Sequence, residues 1–137
     1  MSFKQMVLLY LMTLAVFFMI DMVWLGAVAK GFYRKHLGAL MGPKVVWPAA
    51  ILFYLLFIVG LLVFVVRPAL TAGQPLQALA FGALFGLIAY ATYDLTNLAT
   101  MKDWPLVVTV VDLAWGACLG GLVSLVSAVL GRRLLKL

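Results

Sequence analysis

Glutamate is absent from this chain of 137 residues, aspartate occurs four times, and cysteine and histidine occur once each. A single thiol, Cys118, excludes a disulfide framework within the chain. A single histidine, His36, excludes the histidine cluster of a membrane di-iron oxygenase and bis-histidine haem ligation. Charged residues make up only 10% of the chain, whereas a soluble globular domain carries ~25%. There is no Gly-rich nucleotide loop, no Gly-x-Ser-x-Gly and no Asp-Asp-x-x-Asp run. No lysine falls inside a hydrophobic run, so a Schiff-base chromophore is excluded as well.

What is abundant is apolar: 67% of residues are hydrophobic and the mean hydropathy is +1.21. At ~20 residues per transmembrane helix the chain holds about four spans and little else. The runs cover about residues 5–29, 47–66, 75–99 and 105–131. They predict a single-domain, all-α integral membrane bundle of four transmembrane helices. The first run is too long for the apolar core of a signal peptide and reads as a retained helix. Arg67-Pro68 closes the second run and Arg132-Arg133 the fourth, while Pro48 and Pro105 stand in first-turn positions that tolerate a missing N–H. Trp47 and Trp104 fall where a membrane interface favours an amphipathic ring. The first loop, from Lys30 to Val46, places Tyr33, Leu37, Leu40 and Met41 at helical spacing, which suits a short interfacial helix as well as a basic solvated loop.

The ten basic residues all lie outside the runs and give a net charge of +6. They read as anchors for lipid headgroups; with no soluble domain to carry a basic face, nucleic acid is not an expected partner. Five fall on each membrane face, so the positive-inside rule is balanced, and the reading adopted is a multi-pass protein of a bacterial inner membrane with cytoplasmic termini. Cys118 on a Gly/Ala-rich helix reads as a packing residue, and His36 as an interfacial side chain.

Three of the four acids lie within spans. Measured from the predicted span ends at 1.5 Å per residue, Asp21 lies ~12 Å, Asp94 ~8 Å and Asp112 ~10 Å from one membrane face. Tyr54 comes to a similar depth, so each helix is expected to contribute one polar group to a single layer. On the third helix Tyr90, Tyr93, Asp94, Asn97 and Thr100 share a face, continued by Gly82 and Gly86. On the fourth, Thr109, Asp112, Gly116, Gly120 and Ser127 share one. The two Gly-x-x-x-Gly pairs predict that these helices clasp and hold Asp94 near Asp112. An intramembrane aspartate costs on the order of 2.5–3.5 kcal/mol. An interhelical hydrogen bond returns only ~0.6–2 kcal/mol, which favours a functional site over structural glue.

Three carboxylates with Asn97 could share protons or hold Mg²⁺ or Ca²⁺, with Asp94 and Asp112 the best metal candidates; no cofactor is predicted. The residues Tyr93-Asp94-Leu95-Thr96-Asn97, Asp112-x-x-Trp115-Gly116, Asp21-x-x-Trp24-Leu25 and Phe53-Tyr54 make the chain resemble a bacterial family of predicted four-helix membrane proteins known only as a domain of unknown function. That resemblance implies the same spans, draws Trp24 and Trp115 into the candidate site, and implies no activity or cofactor. The function expected is binding or modification of a lipid-like molecule at the aspartate-rich site. The alternatives are a small proton- or cation-coupled transporter working as a homo-oligomer, and an accessory subunit of a larger membrane complex. Whether the chain is an enzyme stays open on the sequence.

Overall fold

A bilayer core offers no partner to backbone N–H and C=O groups, so apolar runs of this length can be satisfied only as helices. The computed structural model, which describes residues 1–137, is 85% helix with no strands. Its four helices are α1 (Phe3–Leu37), α2 (Trp47–Ala72), α3 (Pro75–Thr100) and α4 (Leu106–Leu134), each long and apolar enough to cross a membrane. Local chemistry sets their ends. Ser2 and Gln5 form a reciprocal cap at the start of α1, each side chain accepting from the other's backbone N–H. Pro48 and Pro75 occupy first turns. Gly73 ends α2 at φ +68°, a left-handed conformation that side chains resist. Arg132 donates to the Gly73 carbonyl at 2.9 Å and so ties α4 to that turn.

Two helices run past the ends that the hydrophobic pattern suggests. α1 continues through Lys30-Gly31 to Leu37, so no separate interfacial helix follows a loop there. Loss of hydrophobicity is not loss of helicity: Lys and Arg are good helix formers, and here they stand exposed on the continuing helix. α2 passes Arg67-Pro68 and ends six residues beyond Val66. Proline lacks an N–H and clashes with the carbonyl four residues back. The wide π-helical turn over Leu62–Val66, where the Arg67 N–H reaches the Leu62 carbonyl, opens the backbone enough to admit it.

The most extensive contact is between α3 and α4, where Gly82, Gly86, Gly116 and Gly120 bring two backbones together. A Cβ on Gly116 would lie 2.7 Å from the Gly86 carbonyl oxygen, and one on Gly82 or Gly86 would overlap a carbonyl of α4. α1 packs antiparallel on α4. Gln5 donates to the Leu135 carbonyl at 3.2 Å, Leu9 faces Gly131, and Trp24 stacks on Trp115 with centroids 4.5 Å apart. Leu9, Phe17, Ile58, Leu61, Val66, Leu119 and Val123 fill the interior toward the end that carries both termini.

α2 is placed unevenly. Its second half, from Leu62, packs against α3 and α4, whereas its first half touches α1 and stands away from the α3 backbone. There aromatic rings span the gap: Phe53 and Phe57 meet Tyr90 at 6.5 and 6.4 Å, and Phe57 meets Phe85 at 5.6 Å. Helices α2 and α3 therefore diverge from their shared turn at Gly73.

Candidate functional site

The divergence of α2 from α3 leaves a cavity of about 350 Å³. Four of the chain's five tyrosines line it (Tyr33, Tyr54, Tyr90 and Tyr93), with Phe53, Ala50, Ala89 and Asp112. Phe53 and Tyr93 are 43% and 57% exposed, so the rim faces the bilayer rather than the bundle. Of the two carboxyls, Asp112 lines the cavity and Asp94 is buried behind it. Asp94 is fully buried and Asp112 6% exposed, and the two side chains lie beside each other. The glycine clasp is what brings them together, because it holds α3 and α4 at backbone contact one to two turns away.

The Tyr33 hydroxyl donates to Asp112 Oδ1. Neither oxygen of Asp94 meets an N–H or O–H donor. Buried oxygens of this kind are nearly always satisfied, and two adjacent carboxylates cannot both carry charge cheaply in an apolar setting. One proton held between the pair removes both difficulties. The result is a short chain of exchangeable groups, Tyr33 to Asp112 to Asp94, with its outer member at the loop-side end of α1.

Around this chain, Thr109 receives the Trp104 indole N–H at 3.0 Å and approaches the Asp94 carbonyl at 3.4 Å. Trp104 is buried against Tyr93 and braces the end of α3, whereas Trp47 is 61% exposed. Asn97 lies beside the Tyr93 hydroxyl, on the outer side of the site. Trp24 and Trp115 form the stacked wall between α1 and α4, with the Trp24 indole close to the Tyr33 hydroxyl. His36 packs on Phe32, with centroids 4.7 Å apart, and does not line the cavity.

Asp21 departs from the single layer expected of it. The register of Gln5 against Leu135, Leu9 against Gly131 and Trp24 against Trp115 sets Asp21 level with Leu119. That is about seven residues, or ~10 Å, below Asp112. The expectation measured its depth from a helix end at Ala29, and α1 ends at Leu37 instead. Asp21 is buried and lies near Tyr54 and Tyr90, beneath the cavity rather than in the carboxyl pair. No three acidic, histidine or cysteine side chains converge anywhere to hold a metal ion, so the pair offers two carboxylates only.

Tyr33 is the residue that sequence reasoning missed. At 100° per residue a regular helix would turn it ~120° away from Asp21. A π-helical turn over Leu25–Ala29 takes up about one extra residue, returning Tyr33 to within ~20° of that face. Buried Ala29 marks the same face four residues earlier. Side chains on a helix lean toward its N-terminus, so the phenol reaches back over the site.

Compared with known proteins, residues 6–129 match a family described as "Predicted membrane protein (DUF2177)". No curated protein and no solved structure matches the chain significantly.

Proposed function

The chain belongs to this family of predicted membrane proteins, and from the site it carries we propose that it binds a lipid-like molecule from the bilayer and exchanges a proton with its polar group through Asp94, Asp112 and Tyr33. The observation that carries the reading is the tyrosine-lined cavity opening between α2 and α3, with Asp112 in its wall and the buried Asp94 beside Asp112. Its size falls within the range of small-molecule sites, and its lining is mostly aromatic with a few convergent polar groups, as such sites are built. A ligand sliding between two diverging helices needs no aqueous path. Below the cavity the bundle is filled by Phe17, Leu119, Val123 and the glycine clasp, which favours a closed-ended pocket over a transport route.

The test is to purify the protein in mild detergent, extract it and identify bound lipids by mass spectrometry. Wild-type protein is expected to retain a lipid near one per chain. Ala89→Trp, which fills the cavity from α3, is expected to reduce retention by about tenfold with an unchanged or raised thermal midpoint. Wild-type protein carrying no lipid, together with an unaltered lipid profile in a deletion strain, would overturn the proposal. We place the protein in a bacterial inner membrane with its termini in the cytoplasm; a reporter fused after Leu137 that is active only outside the cytoplasm would reverse that orientation.

A further inference from the structure

Tyr33 is a wall of two cavities. One is the aromatic site; the other, also about 350 Å³, is lined by Leu25, Ala29, Lys30, Tyr33, Arg34 and Met41. Lys30 and Arg34 are four residues apart on α1 and so project from one face, one turn from each other. No ion pair engages either of them. The chain has only four acids with which to neutralise ten cations. Three of those acids are buried in the bundle, and the fourth, Asp103, sits in the connection between α3 and α4. Two unneutralised cations therefore border a concave, otherwise apolar space, separated from the carboxyl pair by one phenol.

We propose that Lys30 and Arg34 hold the anionic headgroup of the amphiphile whose body occupies the tyrosine-lined cavity. This deepens the function proposed above and rests on it, by assigning the ligand a class: a membrane lipid with a phosphate or carboxylate head. The geometry gives each part its place. A guanidinium fork matches the paired oxygens of such a head, and a lysine ammonium one turn away adds a second point charge. Tyr33 then stands at the junction of head and tail, with its hydroxyl on Asp112, so the part of the ligand nearest its head is presented to the carboxyl pair. Ordinary interfacial anchoring needs only cations at a helix end; it requires neither a concave space beside them nor a wall shared with a second cavity.

The experiment compares retention of phosphatidylglycerol and of zwitterionic phosphatidylcholine from mixed micelles, read by native mass spectrometry. Wild-type protein is expected to prefer phosphatidylglycerol by about tenfold, since each cation near a headgroup contributes on the order of 1 kcal/mol, and two together exceed the ~1.4 kcal/mol that tenfold represents. The K30Q/R34Q variant is expected to lose that preference while still retaining phosphatidylcholine. K4Q/R133Q, which removes two cations from the opposite face, is expected to keep it. An equal loss in K4Q/R133Q would assign the preference to general surface charge and overturn the proposal. Displacement of phosphatidylglycerol by soluble glycerol phosphate would assign the site to a free phosphate and overturn it too. Equal retention of both lipids by the wild type, with Ala89→Trp abolishing both, would remove the headgroup assignment and leave the cavity reading standing. If Ala89→Trp has no effect on either lipid, the cavity reading itself fails.

Discussion

A Gly86→Leu variant is expected not to accumulate as folded protein. A Cβ at this position would overlap the Gly116 carbonyl oxygen and lie 3.2 Å from the Gly120 Cα, so the obstruction is backbone on both counts. A side chain can change rotamer to admit a neighbour, but a helix backbone cannot, and the two helices would have to part along their most extensive contact. In the membrane the attraction between them is van der Waals packing at close range, which is lost steeply with separation. The expected cost exceeds ~4 kcal/mol, the range reached only when a structural element is displaced. Gly31→Ala supplies the control, because a Cβ there meets nothing within 4 Å and a glycine inside a helix costs ~1 kcal/mol relative to alanine. Size-exclusion profiles and thermal midpoints in detergent read both variants. A Gly86→Leu protein as monodisperse and as stable as wild type would show that the clasp does not hold the bundle together.

Those four glycines also show how far the sequence could be read. Their spacing was sufficient because helix phase is a local property: two residues four apart on a regular helix share a face whatever surrounds them. The same regularity put Asp94 and Asp112 on the facing sides of α3 and α4. It failed where the helix stops being regular. The π-helical turn at Leu25–Ala29 inserts a residue into the phase count, so Tyr33 arrives on the site face although its number says otherwise. Nothing in Leu25-Gly26-Ala27-Val28-Ala29 announces that turn. The depth of Asp21 failed for a related reason, since depth is counted from a helix end and α1 ends where its backbone ends, not where its hydrophobicity does. The divergence of α2 from α3, which makes the cavity, is a tertiary property of one long connection and one short one. No periodicity in either helix encodes it.

Asp94→Asn is expected to leave the fold intact and remove the function. Asp94 is fully buried, neither of its oxygens meets an N–H or O–H donor, and the Asp112 side chain lies beside it. An asparagine amide is nearly isosteric with a protonated carboxyl and donates from the same place, so Asp112 keeps its neighbour and the thermal midpoint should move by no more than a few degrees. The amide cannot release that proton or take one up. A deletion strain expressing Asp94→Asn should therefore keep the lipid profile of the deletion, while the purified variant still retains lipid in its cavity. Asp94→Leu separates chemistry from packing in the other direction: it deprives the buried Asp112 of its polar neighbour and should lower stability by roughly 1–3 kcal/mol. Tyr33→Phe removes the donor to Asp112 Oδ1 from the far side of the pair. If the three groups act as one chain, adding Asp94→Asn to Tyr33→Phe should cost the lipid profile little more than either change alone. Restoration of the wild-type profile by Asp94→Asn would reduce the pair to interhelical glue. That outcome leaves unexplained why a bundle already clasped by four glycines buries two adjacent acids, where an uncharged amide would bind the helices at lower cost.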